Sequence, residues 1–335
     1  MGSLARRAAV LSLSIAVVAG VPGSATAGIT DRTRAARGAA YLASQQQPDG
    51  SIPAFSPIGS TADAVLAFVS AGVGRTSMTK ALGYLQSQTQ AGNVSSIGLR
   101  AKVILALVAA GRGDPRNFGG HNLVMEVGST VGPDGHVGNE AVLNDALAVL
   151  ALDAAGAALP AAVSTWLLDA QCPDGGWAYD LPYNPTVDDA HCHSGSLDFF
   201  DSDSNTTSYV VQALIATGMP NWSAGPFAYF GTVRDPVHGG WSYSASFVVT
   251  DANSTALVIQ AYAGAGLSVP AGGLQALRDL QYQDCGAWAY TWNGTAIGDP
   301  DVGATIGAIP GIQRDPLPIA PGTVRRGVPS VPACP

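Results

Sequence analysis

The chain repeats a short phrase, which reads QCPDGGWAY at residues 171–179, HGGWSY at residues 238–243 and QDCGAWAY at residues 283–290. Each copy ends one helix-like run and precedes a second one. Two of these second runs share a phrase of their own, DSNTTSYVVQALIATG from Asp203 and DANSTALVIQAYAGAG from Asp251. Self-similarity at a fixed period is the signature of a repeat architecture. The sequence therefore predicts a fold that is assembled from one repeated helix pair.

Six glycines mark the ends of the first helices and give the number of units. Their spacings are 42, 43, 40, 64 and 47 residues, so one unit carries an insertion, at residues 178–203. The six are Gly50, Gly92, Gly135, Gly175, Gly239 and Gly286.

The two kinds of helix differ in polarity. The second helices are mostly apolar on all sides, which predicts that they are buried, and the last should be short because Pro310 follows it. We predict them at residues 61–71, 98–110, 143–155, 206–217, 254–265 and 302–309. The first helices, such as residues 39–46, 80–88 and 274–283, are amphipathic. An inner ring of six and an outer ring of six make an all-α fold, the (α/α)6 toroid.

The first 27 residues read as a signal peptide. Arg6 and Arg7 precede an apolar stretch at residues 8–21, and Ala25-Thr26-Ala27 resembles a cleavage site. We expect a secreted, extracellular protein, with the toroid at residues 28–313 and a proline-rich tail at residues 314–335. No later stretch reaches the roughly 20 apolar residues of a membrane span. The formal net charge of −8 argues against nucleic acid as a partner.

The chain has four cysteines, Cys172, Cys192, Cys285 and Cys334. An even number in an exported chain suggests two disulfides, and three pairings are open. We favour Cys172–Cys192 with Cys285–Cys334, because each bond then joins segments that the repeat already places together. The second bond would fix the tail to the last repeat.

The repeated phrase also carries a family resemblance. Residues 167–177 follow the pattern Leu-x3-Gln-x3-Gly-x-Trp, and residues 277–288 follow it with one residue more. This resembles the QW repeat of squalene–hopene cyclases and protein prenyltransferase β-subunits, and the composition suggests a bacterial source. The resemblance implies the α/α-toroid superfamily of terpene cyclases and prenyltransferases. It does not imply one function, because that superfamily also includes cobalamin carriers and thioester domains.

The phrases at Asp203 and Asp251 resemble the DxDD motif of class II terpene cyclases, whose middle Asp protonates an alkene. Here Asn205 and Asn253 stand at that position, and an amide has no carboxylic proton to give. The candidate acids of a diverged cyclase are therefore Asp201, Asp203 and Asp251. The alternative interpretation of both phrases is helix capping, in which Asp accepts the free N–H groups of a first turn.

Both interpretations place these residues at one mouth of the ring, where they could line a ligand site. The predicted ligand-binding residues are Asp203, Asn205, Asp251, Asn253 and Asp301. The Trp-x-Tyr pairs of the repeated phrase suggest an aromatic cage there. Aromatic side chains that join neighbouring outer helices are the stronger interpretation.

The insertion is the most distinctive segment of the chain. Its acidic residues Asp198, Asp201 and Asp203 could hold Ca²⁺, and the alternative is a plain acidic loop. The sequence predicts no other cofactor.

Our leading hypothesis from the sequence is a non-catalytic extracellular binding protein for a small isoprenoid-like or corrinoid-like ligand. A diverged terpene cyclase, and a cell-surface module that binds an extracellular protein, are the alternatives.

Overall fold

The computed structural model describes residues 29–138, 141–179, 201–220, 222 and 225–335. Over those residues the chain forms twelve α-helices. They are α1 (Asp31–Gln45), α2 (Pro57–Ala71), α3 (Arg75–Gln90), α4 (Ile97–Ala110), α5 (Leu123–Gly128), α6 (Val142–Ala154), α7 (Ala161–Asp169), α8 (Ser204–Ala216), α9 (Pro226–Thr232), α10 (Ala252–Gly264), α11 (Gly273–Asp279) and α12 (Val302–Gln313). The predicted signal peptide and most of the insertion lie outside the described residues.

The even-numbered helices contact one another in chain order. Each packs against the next, from α2 to α12, and α12 also packs against α2, so the succession of contacts closes on itself. These helices are apolar on nearly every side and bury most of their residues, whereas α3 and α11 keep an exposed face. A helix without a polar face gains stability only where neighbours surround it. Among the described helices, none combines the length and the apolar character that crossing a membrane requires.

The predicted helix positions are confirmed and their ends are less accurate. The prediction that α12 ends at residue 309 is wrong, because the helix continues through Pro310 to Gln313. A proline inside a helix removes one donor, and here Arg314, in the left-handed region at φ 60°, ends the helix instead. Helix α1 begins at Asp31, eight residues before the predicted start. The added turns are polar, and Asp31 pairs with Arg278 of α11 at 2.7 Å.

The described residues also form six strands of two residues each, in the segments that precede α8 and α12. They are β1 (Trp177–Ala178), β2 (Ser202–Asp203), β3 (Trp288–Ala289), β4 (Trp292–Asn293), β5 (Ala296–Ile297) and β6 (Pro300–Asp301). The antiparallel pairs are β1 with β2, β3 with β6 and β4 with β5. Trp177 lies opposite Asp203, and Trp288 lies opposite Asp301. Each aromatic residue is thereby fixed beside the start of an even-numbered helix.

The tryptophans of the repeated phrase are part of the core. The side chains of Trp177, Trp241 and Trp288 are fully buried. The Trp288 backbone N–H donates to Thr305 Oγ1 of α12 at 2.8 Å, and its indole N–H donates to the Leu277 carbonyl of α11 at 2.8 Å. One residue thus ties an odd-numbered helix to the even-numbered helix that follows it.

The glutamine and the glycine of the Leu-x3-Gln pattern at residues 277–288 join neighbouring units. Gln281 Nε2 donates to the Gly286 carbonyl at 3.1 Å and to the Arg34 carbonyl of α1 at 3.0 Å. Gly286 has φ +86°, and a Cβ there would collide with the backbone of Arg37. Positive φ and close backbone approach are both conditions that only glycine meets without strain. These contacts bring the last unit against the first.

The C-terminal tail packs on the helices. Leu317, Ile319 and Val324 are buried in the common hydrophobic core. The disulfide Cys285–Cys334, with 5.2 Å between the Cα atoms, anchors its end and confirms that predicted pair. Cys172 is also disulfide-bonded, and Cys192, its predicted partner, lies outside the described residues.

Candidate functional site

A cavity of about 230 Å³ lies among the even-numbered helices, and all six of them contribute to its lining. Its walls are mainly apolar, and one charged pair and several amide groups interrupt them. The lining residues are Phe55, Ser60, Asp63, Leu66, Lys102, Leu143, Asn205, Tyr209, Asn253, Leu257, Gln260, Gly303, Ile306, Gly307, Pro310, Leu317 and Ile319.

The tail forms one end of this cavity. Leu317 and Ile319 belong to the lining. Asp315 accepts a hydrogen bond from Ser70 Oγ of α2 at 2.5 Å, and its carbonyl accepts one from Gln260 Nε2 of α10 at 2.6 Å. The Leu317 N–H donates to Gln212 Oε1 of α8 at 2.7 Å. Bonds to three different helices hold the tail in place as the floor of the cavity.

A charged pair stands on the cavity wall. Lys102 Nζ of α4 lies 2.6 Å from Asp63 Oδ2 of α2, and the two side chains are 26% and 28% exposed. Burial by itself would lower the pKa of Lys102, but the Asp63 carboxylate and the Tyr209 phenol raise it above its ordinary value. Burial raises the pKa of Tyr209 to about 12. At neutral pH the cavity therefore presents an ammonium group and a neutral phenol.

Two amides line the cavity near the beginnings of their helices. Asn205 and Asn253 are each the second residue of their helix, in α8 and in α10. Their Oδ1 atoms are buried and accept no hydrogen bond within the part of the chain that the structure describes. A buried acceptor without a donor is unfavourable, so a ligand donor at either amide would be stabilising.

The three aspartates that the sequence predicts as ligand-binding residues cap helices and do not line the cavity. Asp203, Asp251 and Asp301 are the residues before α8, α10 and α12, and each carboxylate accepts a backbone N–H of the first turn. The O···N distances are 2.7, 2.7 and 2.6 Å. This is the capping geometry of the alternative interpretation, and none of the three is a lining residue of the cavity.

Two of these carboxyl groups have shifted acidity. Burial raises the pKa of Asp203 to about 7 and that of Asp251 to about 6, although the hydrogen bonds from their first turns oppose the rise. Burial and the neighbouring Asp203 carboxylate also raise the pKa of Tyr243. Asp201, the third candidate acid, is buried beside Asp203 at the end of the insertion.

The tyrosines of the repeated phrase lie near the capping aspartates. Tyr243 and Tyr290 are 40% and 43% exposed, two residues after tryptophans that are fully buried. Phe55, 84% exposed, lies beside Gly303 at the cavity. Tryptophan joins the helices, and Tyr243 and Tyr290 are partly exposed beside the capping aspartates.

The predicted metal ligands are only partly described. Asp198 lies outside the described residues, and Asp203 caps α8. Over the described ranges, no group of three or more His, Cys, Asp or Glu side chains is arranged to hold a metal ion. The Ca²⁺ site stays a prediction.

The sequence reasoning did not identify Lys102 and Asp63. A signal was available, because Lys102 is one of only two lysines and lies in α4, where Arg100 is the one other charged residue. Asp63 interrupts the apolar run of α2 in the same way. An ionisable residue inside a mostly apolar helix is itself evidence of a partner or a ligand.

Comparison with known proteins supports the fold. No family model and no curated protein matches the chain. Among solved structures, a protein from Actinoplanes is 15% identical with a TM-score of 0.54, over 85% of this chain and 99% of that one. The type II terpene cyclase MstE from Scytonema is 12% identical with a TM-score of 0.56, over 85% and 98%. A D-mannose isomerase is 11% identical with a TM-score of 0.56, over 87% and 99%.

At such low identity the likeness shows the fold alone. The chain has an α/α-toroid fold, and proteins of different activities share it.

Proposed function

We propose that this chain is a secreted six-unit toroid with two concentric helix rings, whose central cavity binds a small, predominantly apolar molecule without transforming it. The repeated contacts of the even-numbered helices and the closure of α12 on α2 support the double ring. The signal-like N-terminus and the disulfide Cys285–Cys334 support secretion.

The observation that carries the proposal is the chemistry of the lining. At the positions where the cyclase motif requires a proton donor, the cavity presents the amides of Asn205 and Asn253. Among the described residues, the one lining carboxylate, Asp63, is held in an ion pair. Protonation of an alkene needs a free and strong acid in a dry cavity, and Asp203 and Asp251 use their carboxylates as helix caps. Binding therefore fits the lining better than cyclisation does.

The cavity volume limits the ligand. A cavity of about 150 Å³ holds benzene, and drug-sized ligands occupy roughly 300–1,000 Å³. The 230 Å³ found here lies between those limits. This size favours a molecule like a monoterpene among isoprenoids, and it disfavours a corrinoid, which is larger than most drugs. The partner we propose is thus a small molecule and not a protein.

A cavity-filling variant tests this function. Leu257 lines the cavity, whereas Leu267 is exposed on the surface. We expect the wild-type chain and Leu267→Trp to bind menthone, and Leu257→Trp to lose binding because the indole occupies the cavity. Headspace gas chromatography over sealed protein solutions measures the free ligand. Wild-type protein that takes up no menthone, or equal uptake by Leu257→Trp, would overturn the proposal.

The same samples test whether catalysis is absent. We expect chromatograms of acyclic isoprenoids incubated with the protein to contain the starting compounds only. A cyclised product that disappears in Leu257→Trp would contradict the non-catalytic part of the proposal and favour a diverged cyclase.

A further inference from the structure

The ion pair between Lys102 and Asp63 is not explained by the packing of the helices. It joins α4 to α2 on a wall whose other members are largely apolar. The two side chains are 26% and 28% exposed, and an ion pair that stays in contact with solvent contributes only about 0–1 kcal/mol to stability. A pair that the fold does not need is best explained by what it presents to the cavity.

The ammonium group has donors to spare. It carries three N–H bonds, and it makes one hydrogen bond, to Asp63 Oδ2, within the described part of the chain. Tyr209 on α8 lines the same cavity and adds a phenol. The polar part of the wall is therefore rich in donors, while its acceptors are the remaining oxygen of Asp63 and the amides.

The charges of Lys102 and Asp63 limit the class of ligand that the cavity can bind. Since Asp63 and Tyr209 raise the pKa of Lys102, its amine stays protonated and is not a nucleophile for carbonyl groups. The positive charge of Lys102 and the negative charge of Asp63 cancel. An anionic ligand would bring an uncompensated charge into a cavity of low polarity, which is unfavourable. A neutral oxygen that accepts hydrogen bonds meets the donors without that cost.

We propose that Lys102 and Tyr209 together form the polar anchor of the cavity, and that its ligand is a neutral, oxygenated apolar molecule, a ketone or an alcohol, whose oxygen accepts hydrogen bonds from both. Asp63 is a positioning residue that holds the ammonium group against the wall. This inference rests on the proposed function and specifies its ligand class.

Three probes of similar skeleton test the anchor. They are menthone, a ketone, p-menthane, a hydrocarbon, and 4-isopropylcyclohexanecarboxylate, an anion. Each is measured with the wild-type chain, with Tyr209→Phe, and with the double variant Lys102→Met/Asp63→Leu, which removes the pair without leaving one charge alone. Circular dichroism during thermal unfolding confirms that the variants are folded. Headspace partitioning gives the affinities of the two volatile probes, and equilibrium dialysis gives that of the anion.

The informative quantity is the ratio of the menthone affinity to the p-menthane affinity. The two probes differ in hydration by the same amount in every sample. A change in this ratio between proteins therefore measures the contribution of the anchor to binding of the ketone oxygen. We expect the double variant to reduce the ratio by about tenfold or more, since hydrogen bonds to charged groups are the stronger ones. Tyr209→Phe should reduce it by a smaller factor, and the anion should bind wild-type protein more weakly than menthone does.

The outcomes separate this inference from the proposed function. If both volatile probes bind and their ratio is the same in all three proteins, the anchor is refuted and the binding cavity stands. If the anion binds more tightly than the ketone, the assignment to a neutral oxygen is refuted. If neither volatile probe binds the wild-type chain, the proposed function fails, and the anchor fails with it.

Discussion

Replacing Asp203 by Asn should change how the stability of the protein depends on pH. The side chain is 1% exposed and caps α8 by accepting the Thr206 N–H at 2.7 Å. Asparagine is as good a capping residue as aspartate, so the hydrogen bond has a replacement. The substitution removes the ionisation of the carboxyl group and puts an amide NH2 in place of its second oxygen.

The magnitude follows from the shift in acidity. Burial raises the pKa of Asp203 from 3.8 to about 7. Since the folded chain holds this proton more tightly than the unfolded chain does, the free energy of unfolding falls as pH rises from about 4 to about 7. A shift of about three units at 1.36 kcal/mol each amounts to roughly 4 kcal/mol. Above pH 7 the variant should therefore be more stable than the wild-type chain by up to roughly 4 kcal/mol.

Urea unfolding followed by circular dichroism, at pH 4, 6 and 8, measures this difference. We expect similar stabilities at pH 4 and a growing advantage of Asp203→Asn toward pH 8. The stability of Asp203→Asn should still depend on pH in part, because burial also raises the pKa of Asp251 to about 6. Asp301→Asn is the matched control, since Asp301 caps α12 with a side chain that is only partly buried.

Parallel stability curves for wild-type protein and Asp203→Asn from pH 4 to pH 8 would refute the reasoning. They would mean that the Asp203 carboxyl ionises in the folded chain as it does in the unfolded one. A variant that is less stable at every pH by the same amount as Asp301→Asn would report a weakened cap and nothing else.

Three further substitutions test the contacts between the units, each by denaturant unfolding. Trp288→Ala should lower the free energy of unfolding by about 3–5 kcal/mol, because it empties a fully buried site; a loss below about 1 kcal/mol would show that the site is not a packed one. Gly286→Ala should be destabilising, since its Cβ meets the backbone of Arg37, and a neutral effect would contradict that close approach. Replacing Cys285 and Cys334 together by Ser should cost about 4 kcal/mol, because the bond closes a loop of 49 residues; an unchanged stability in oxidising buffer would contradict its formation.

Periodicity predicted the helices well because each repeat unit shows the same order of helix-like runs and glycines. The positions of the even-numbered helices follow from long runs that are mostly apolar on every side. The end of α12 was missed because Pro310 is a strong local signal against helix, and packing against α10 and α2 outweighed it. The start of α1 was missed because its first turns are polar and are held by Arg278, a residue about 250 positions away.

The candidate site was less predictable, for a physical reason. The capping aspartates and the amides that follow them belong to one sequence phrase. Only the structure shows that the two kinds of side chain point to different places. Asn205 and Asn253 line the cavity, while the carboxylates of Asp203 and Asp251 turn back to their own helices. Lys102 and Asp63 are 39 residues apart and lie on different helices. No local sequence pattern predicts that these two residues form a pair, although the sequence does show each charge within a mostly apolar run.

A crystal structure of the chain soaked with menthone tests the central claim most directly. The account predicts one menthone molecule in the cavity between α2, α4, α8 and α10, with its ketone oxygen within hydrogen-bond distance of Lys102 Nζ. A cavity that holds only water, or menthone bound elsewhere on the surface, would contradict it.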